Sequence, residues 1–429
     1  MRRLLGALRH RLARVPRPLL YPLAALALAA AAYSIVQHAR FEYSYYRAGR
    51  ALDREAFDEA GEYLATCLRL APHSGRARFR AAQAARRADQ PEFAEEQLGF
   101  CAELAWPAEA VELERRMLLF QRGEGDPVTE QWLLRCVTPR FPDRELVLEA
   151  LAKGYIRGYQ LFKALEHLDT WLEIHPDSLG ARMRRGWVYE RLDRYPDAAA
   201  DYQAVLQQYP QELRAKLRLA EVLRLQGKTA ESAALYEQLK REAPPSPAID
   251  LGLAQSYRTL GQGAAAHTLL DALAKGHPDD AAVLLEQGRL LLDEGRDEEA
   301  RAVLEHAIRV APEEYDPHYQ LFLCLQRLGD AAAAAKAEKK FRAIETDLKR
   351  MGELTEALQS RPRDADVRYQ IAEIFLRRGE VAESAQWLEG VVQLQPQHPL
   401  ARQKLVTLYE QLGKPDRARF HRLALPPRP

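Results

Sequence analysis

The sequence predicts an all-α chain, a stack of paired helices preceded by one N-terminal helix able to cross a membrane, and three observations carry that reading. Prolines at 176, 210, 244, 278 and 312 recur at a constant interval of 34 residues, a period that marks an array of short repeated units. Small residues keep the same interval, with Ala152, Gly186, Ala220, Ala254 and Gly288 at one position and Ala164, Ala198, Ser232, Ala266 and Ala300 at another. Ala, Leu, Arg, Glu and Gln dominate while β-branched residues are sparse. Such side chains lose little freedom in a helix, so almost no strand is expected.

Each unit reads as a helical hairpin closed by its proline. Tyr155, Tyr189, Leu223, Tyr257 and Leu291 follow the first small set by three residues, and Leu168, Tyr202, Tyr236, Leu270 and Leu304 follow the second by four. Large side chains opposite small ones are what two crossing helices need. In the unit 281–314, Asp279 and Asp280 are placed to cap the first helix, and Leu284, Gly288, Leu291 and Leu292 share one face. Gly295 breaks the chain. Asp297 is then expected to cap a second helix with Glu298 and Glu299 in its first turn and Arg309 in its last, the order the helix dipole favours. Its inner face is Ala300, Val303, Leu304, Ala307 and Ile308. A lone hairpin cannot bury such a face, so the units must stack.

These residues resemble the tetratricopeptide family, whose 34-residue hairpins carry small residues where helices touch and a proline at the end. The resemblance is specific over 145–314 and extends in weaker form over nearly all of 41–424. It implies a right-handed superhelical solenoid of about ten antiparallel hairpins. Residues 41–74 and 75–108 keep Ala60, Leu64, Ala94 and Leu98, but Gly123 to Pro127 interrupts the following unit. The resulting division is 41–144 degenerate repeats, 145–348 a regular array, 349–364 a helical extension reached by a helix running through Phe341 towards Gln359, and 365–424 closing repeats with a polar cap. Ala372, Ala385, Leu388, Pro396, Tyr409 and Ala418 mark the resumed pattern.

The N-terminus carries a different signal. Residues 19–36, Leu19 to Val36, form the longest uncharged stretch and are just long enough for a bilayer core, although rich in Ala. Arg2, Arg3, Arg9, Arg11, Arg14 and Arg17 precede it within the basic segment 1–18 with no acid, so the N-terminus is expected in the cytoplasm and the repeats outside a bacterial inner membrane. Tyr33, Phe41, Tyr43, Tyr45 and Tyr46 are then placed for an interfacial belt. Other readings are a cleaved secretory signal ending near Ala29 to Ala32, an organellar transit peptide, or a twin-arginine signal at Arg2-Arg3. No Cys follows for a lipoprotein anchor.

Composition narrows the function. Lys+Arg 62 against Asp+Glu 61 leaves a net charge of +1, so the chain as a whole has no field to draw nucleic acid. There is no Asn, hence no N-glycosylation acceptor. Cys67, Cys101, Cys136 and Cys324 lack metal, redox or haem spacing. Cys67 and Cys101 sit one repeat apart, about 8–10 Å on stacked helices and past the ~7 Å reach of a disulfide, so buried free thiols are expected. Gly227-Lys228-Thr229 lacks the earlier glycine of a phosphate loop, its place being taken by Val222. His306 and His318 are lone histidines, and no nucleophile has a base beside it. We therefore expect no catalysis, no cofactor and no metal.

The resemblance implies that the first helices line a concave face where a partner segment lies. Carried over by register, one row is Glu149, Met183, Leu217, Leu251, Leu285 and Tyr319, and its neighbour is Lys153, Trp187, Glu221, Gln255, Arg289 and Leu323. An apolar strip with a Trp, a Tyr and an Arg has the composition of a protein-binding surface. The plainer alternative is that these side chains pack against adjacent helices. The carboxylate-clamp subclass of the family uses Asn, which this chain lacks. Two functions fit: a membrane-anchored scaffold or assembly chaperone, and a regulatory or substrate-recruiting subunit of an enzyme system, such as a glycosyltransferase or envelope-biogenesis complex, with catalysis in trans.

Overall fold

The computed structural model describes residues 17–425 apart from 124 and 362, and within its helices the side chains at 17–24, 27 and 359 also lie outside the description. The basic segment that begins the chain, including Arg2 to Arg14, therefore falls outside the described residues. Every regular element described is a helix, and the helices pair into eleven hairpins. The chain divides into two units after residue 136.

The first unit holds α1 (Arg17–Asp53), α2 (Phe57–Leu70), α3 (Gly75–Arg87), α4 (Pro91–Glu103), α5 (Ala108–Gln121) and α6 (Pro127–Cys136). Phe41, Ser44, Ala48 and Ala51 of α1 recur at three- and four-residue spacing and are buried, so the second half of this 37-residue helix serves as the first helix of a hairpin with α2. Among the described side chains of its earlier half there is no such stripe. Leu26, Leu28, Tyr33 and Ile35 are 67%, 71%, 67% and 69% exposed, respectively. The expected aromatic belt divides accordingly: Tyr33, Tyr43 and Tyr46 are exposed, whereas Phe41 is buried and stacks on Tyr45. Among the described residues no helix is long and apolar enough to cross a membrane. The span expected over Leu19 to Val36 thus gains no support: its described part is short and Ala-rich, and the rest falls on side chains outside the description.

The second unit is regular. Its helices are α7 (Arg144–Arg157), α8 (Leu161–Ile174), α9 (Leu179–Arg191), α10 (Tyr195–Gln208), α11 (Leu213–Leu225), α12 (Thr229–Glu242), α13 (Pro247–Thr259), α14 (Gly263–Gly276), α15 (Ala281–Asp293), α16 (Asp297–Val310), α17 (Tyr315–Arg327), α18 (Ala331–Ser360), α19 (Ala365–Arg377), α20 (Val381–Leu394), α21 (Pro399–Gln411) and α22 (Pro415–Leu423). The five prolines from 176 to 312 each stand two residues beyond the end of a second helix, at Ile174, Gln208, Glu242, Gly276 and Val310. Between the two helices of a hairpin the backbone turns through the left-handed region, at Tyr159, Asp193, Gly227, Gly261, Gly295 and Gly329 in the same 34-residue register. Glycine adopts that conformation without a Cβ penalty, which is why it occupies four of these six turns. At the N-terminal end of α15, Asp280 accepts from the backbone N–H groups of Ala282 (2.9 Å) and Val283 (3.1 Å). Asp297 does not cap α16: it is the first helical residue, the cap position falls to Arg296, and its carboxylate faces Arg327 of the next hairpin.

The core is built where small meets large. Ala152, Ala220, Ala254, Ala164, Ala198, Ala266 and Ala300 have no exposed surface, and Tyr202 and Leu304 are equally closed off. A Cβ added at Gly186 would stand 2.7 Å from the Tyr202 ring, and one at Gly288 would stand 2.5 Å from Leu304, so each helix pair is in contact at a residue with no side chain. The same device joins hairpins, since a Cβ at Gly252 of α13 would reach within 2.3 Å of Tyr236 on α12. Consecutive first helices α11, α13, α15 and α17 also touch one another directly, which puts the first helices on the inner side of the stack.

One element departs from the period. Helix α18 has 30 residues where α16 has 14, an extension of roughly 24 Å at about 1.5 Å per residue. Ala334 and Ala337 pack with Leu321 and Leu325 of α17, whereas Leu354 and Leu358 pack with Val367, Ile371 and Ile374 of α19. The insertion carries a second apolar stripe and so seats the following hairpin on its distal half. All four cysteines are free and buried, and burial lifts the Cys101 and Cys324 thiols to about 11.

The glycine contacts generate a double-mutant cycle. Leu304→Ala should cost about 2–5 kcal/mol as a cavity and Gly288→Ala about 1–3 kcal/mol as overpacking. Because the added methyl fills the vacated space, the double variant should be more stable than the two losses summed by at least about 1 kcal/mol in denaturant unfolding. Strict additivity would mean that these residues do not meet.

Candidate protein-binding groove

The two rows carried by the first helices come together on the inner side of the second unit, but their side chains are only partly available. Met183, Trp187, Leu217, Glu221, Leu251, Gln255, Leu285, Tyr319 and Leu323 are half-buried, as are Lys153 and Arg289, and Glu149 is fully buried. The aliphatic row is half-buried because it seals the joints between hairpins. Met183 packs against Leu179, Val205 and Ala215, Leu217 against the Tyr236 and Ile249 core, Leu251 against the Leu270 core and Leu285 against the Leu304 core. Tyr319 meets the Phe341 ring edge-on at 5.5 Å and stacks on Tyr315 at 5.8 Å. Trp187 is half-buried as well, and the guanidinium of exposed Arg191 lies 4.9 Å from its ring centroid.

Charged members of the rows are tied into pairs. Lys153 lies 2.9 Å from Glu149, and Arg184 of the following hairpin lies 3.7 Å from the same carboxylate. Glu221 accepts from Arg224 at 2.5 and 3.1 Å and from the Tyr236 hydroxyl at 3.0 Å, and these donors hold its pKa below the usual carboxylate range against the opposing effect of burial. Arg289 bridges Glu286 and Asp316 at 3.7 and 3.2 Å.

Beside the rows runs a second set of ion pairs, absent from the sequence reading, that join neighbouring hairpins. Arg218 forks onto Glu190, which also accepts from Tyr202, and Arg258 holds Glu286 and Asp293. In the first unit Arg86 is fully buried against Glu114 at 2.5 Å. Each of these three pairs spans 28 residues, so opposite charges recurring at that separation are the signal that would have found them. Burial and the adjoining Glu190 carboxylate raise the Tyr202 hydroxyl well above its ordinary value, which keeps it protonated and donating. On the second-helix side a concavity of about 710 Å³ opens between α12 and α14, lined by Tyr257, Leu269 and Lys240 among others. Among the described residues no cluster of three or more His, Cys, Asp or Glu is arranged for a metal ion.

Tyr319→Ser should cost about 2–4 kcal/mol in denaturant titrations, because it empties a site packed on Phe341. A loss below about 1 kcal/mol would contradict the packing described.

The sequence matches the tetratricopeptide repeat family at residues 162–212, 183–247, 251–317 and 352–399. Among solved structures it is similar to a tetratricopeptide repeat protein from Parabacteroides merdae, at 19% identity over 67% of this chain and 99% of that one, with a TM-score of 0.37. It is also similar to PilW, a widely conserved type IV pilus biogenesis factor, at 20% identity over 46% of this chain and 92% of that one, TM-score 0.42. A third is YrrB, a repeat protein with an unusual peptide-binding site, at 16% identity over 42% of this chain and 93% of that one, TM-score 0.32. No curated protein matches the sequence. The hairpins over these matched residues are tetratricopeptide repeats.

Proposed function

We propose that this chain is a tethered scaffold or assembly chaperone that holds a segment of a partner protein against the inner face of its first helices. The observation that carries the reading is the Trp187–Arg191 pair, a half-buried ring beside an exposed guanidinium on a face whose other apolar members also keep part of their surface open. Such a pair is the kind of anchor on which protein interfaces concentrate their energy. Rigid helices on either side fix its position at little entropic cost. The exposed Leu26, Leu28, Tyr33 and Ile35 of α1, with six arginines before or at the start of that helix, support attachment to a bacterial inner membrane with the repeats on the extracytoplasmic side.

Site-specific photo-crosslinking in intact cells tests the binding face. A crosslinking side chain at position 187 or 255 should give discrete protein adducts, while the same group at exposed Ala234 or Ala272 on the second helices should not. Adducts confined to the second-helix positions would move the site to the other face. Attachment is tested separately: replacing Leu28 and Ile35 with Arg should release the chain from sedimented membranes, and undiminished retention would remove the proposed tether.

A further inference from the structure

The inner face is electrically lopsided along its length, and this says what kind of segment it takes. The first helices α7, α9 and α11 carry eleven basic residues against four acidic ones. Four of the basic residues are taken up by acids outside these helices: Arg182 and Arg185 bind Asp201 with Arg185 also on Asp169, Lys216 binds Glu242, and Arg214 binds Glu212. Seven remain against four, a balance of +3, among them Lys153, Arg157, Arg184, Arg191, Arg218 and Arg224. The partnering second helices α8, α10 and α12 carry three basic and eight acidic residues, so charge is sorted by face. Farther along, α13, α15 and α17 carry three basic and four acidic residues and contribute Leu251, Leu285, Tyr319 and Leu323 to the inner rows.

We propose that the segment bound on this face is a protein segment with an acidic stretch, seated over α7, α9 and α11, joined to an uncharged apolar stretch seated over α13, α15 and α17. This rests on the inner-face reading given above and adds the partner's chemistry and its alignment. Neighbouring hairpins lie about 10 Å apart, comparable to the Debye length of ~8–10 Å at physiological salt, so the excess charge acts on an acidic segment as one field. A nucleic acid strand fits less well. Its phosphates repeat along its whole length, and half of this face offers them no positive balance.

The test uses the full chain and three fluorescent peptides of equal length: an acidic block joined to a leucine–alanine block, a basic block joined to the same block, and the leucine–alanine sequence extended with serine. A single-stranded oligonucleotide is the fourth probe. The acidic–apolar peptide should bind at least about tenfold tighter than the other two peptides and weaken as salt rises. Arg157→Glu combined with Arg191→Glu, two exposed positions whose variants can be checked for retained helicity, should abolish that preference. Equal binding of acidic–apolar and serine–apolar peptides, both lost in Trp187→Ser, would overturn the charge alignment while leaving the inner-face reading intact. Peptide binding that survives Trp187→Ser would overturn both readings. Tighter binding of the oligonucleotide than of any peptide would overturn the assignment of a protein segment.

Discussion

The contact on which the structure depends is a large side chain set against a residue with almost none where two helices cross. Gly186 receives Tyr202, Gly288 receives Leu304 and Gly252 receives Tyr236 from the preceding hairpin. Because helix backbones approach closely only at such points, the position of the small residue sets the crossing, and repeating it every 34 residues sets the stack. A longer residue at one crossing would shift every hairpin beyond it. The turns are subordinate to this register, since Tyr159 and Asp193 accept the left-handed conformation that glycine occupies in the later repeats.

The same contact constrains function. Aliphatic side chains on the inner rows are drawn into the joints between hairpins, so a partner meets only their open edges, together with Trp187 and its arginine and the charge around them. A surface so largely committed to packing changes partner mainly through its charge, which can vary without disturbing the core. The sorting of acids onto second helices and bases onto the early first helices is a division of this kind. It is invisible in a net charge of +1, where the two faces cancel.

Period-based features were legible because a repeat samples the same environment many times. The hairpin ends at the prolines, the buried small sets, and the pairing of Asp280 with the start of α15 all follow from residues read at fixed intervals. What was not legible depends on partners from other hairpins. Asp297 has the residue type and spacing of a cap, yet a neighbouring arginine gives its carboxylate another use. The rows from Glu149 to Leu323 lie on the first helices as register requires, but their burial is set by the next hairpin's side chains, which no single unit encodes. Arg218 with Glu190 and Arg258 with Glu286 escape for the same reason.

Hydrogen exchange of the full chain followed by mass spectrometry tests the central claim most directly, since backbone protection reports where one cooperative helix ends and another begins. The account predicts protected segments over α7 to α17, with rapid exchange at the turns of 159, 193, 227, 261, 295 and 329 and again beside each proline from 176 to 312. Protection running unbroken through those turns, or fast-exchanging sites that ignore the 34-residue interval, would contradict it.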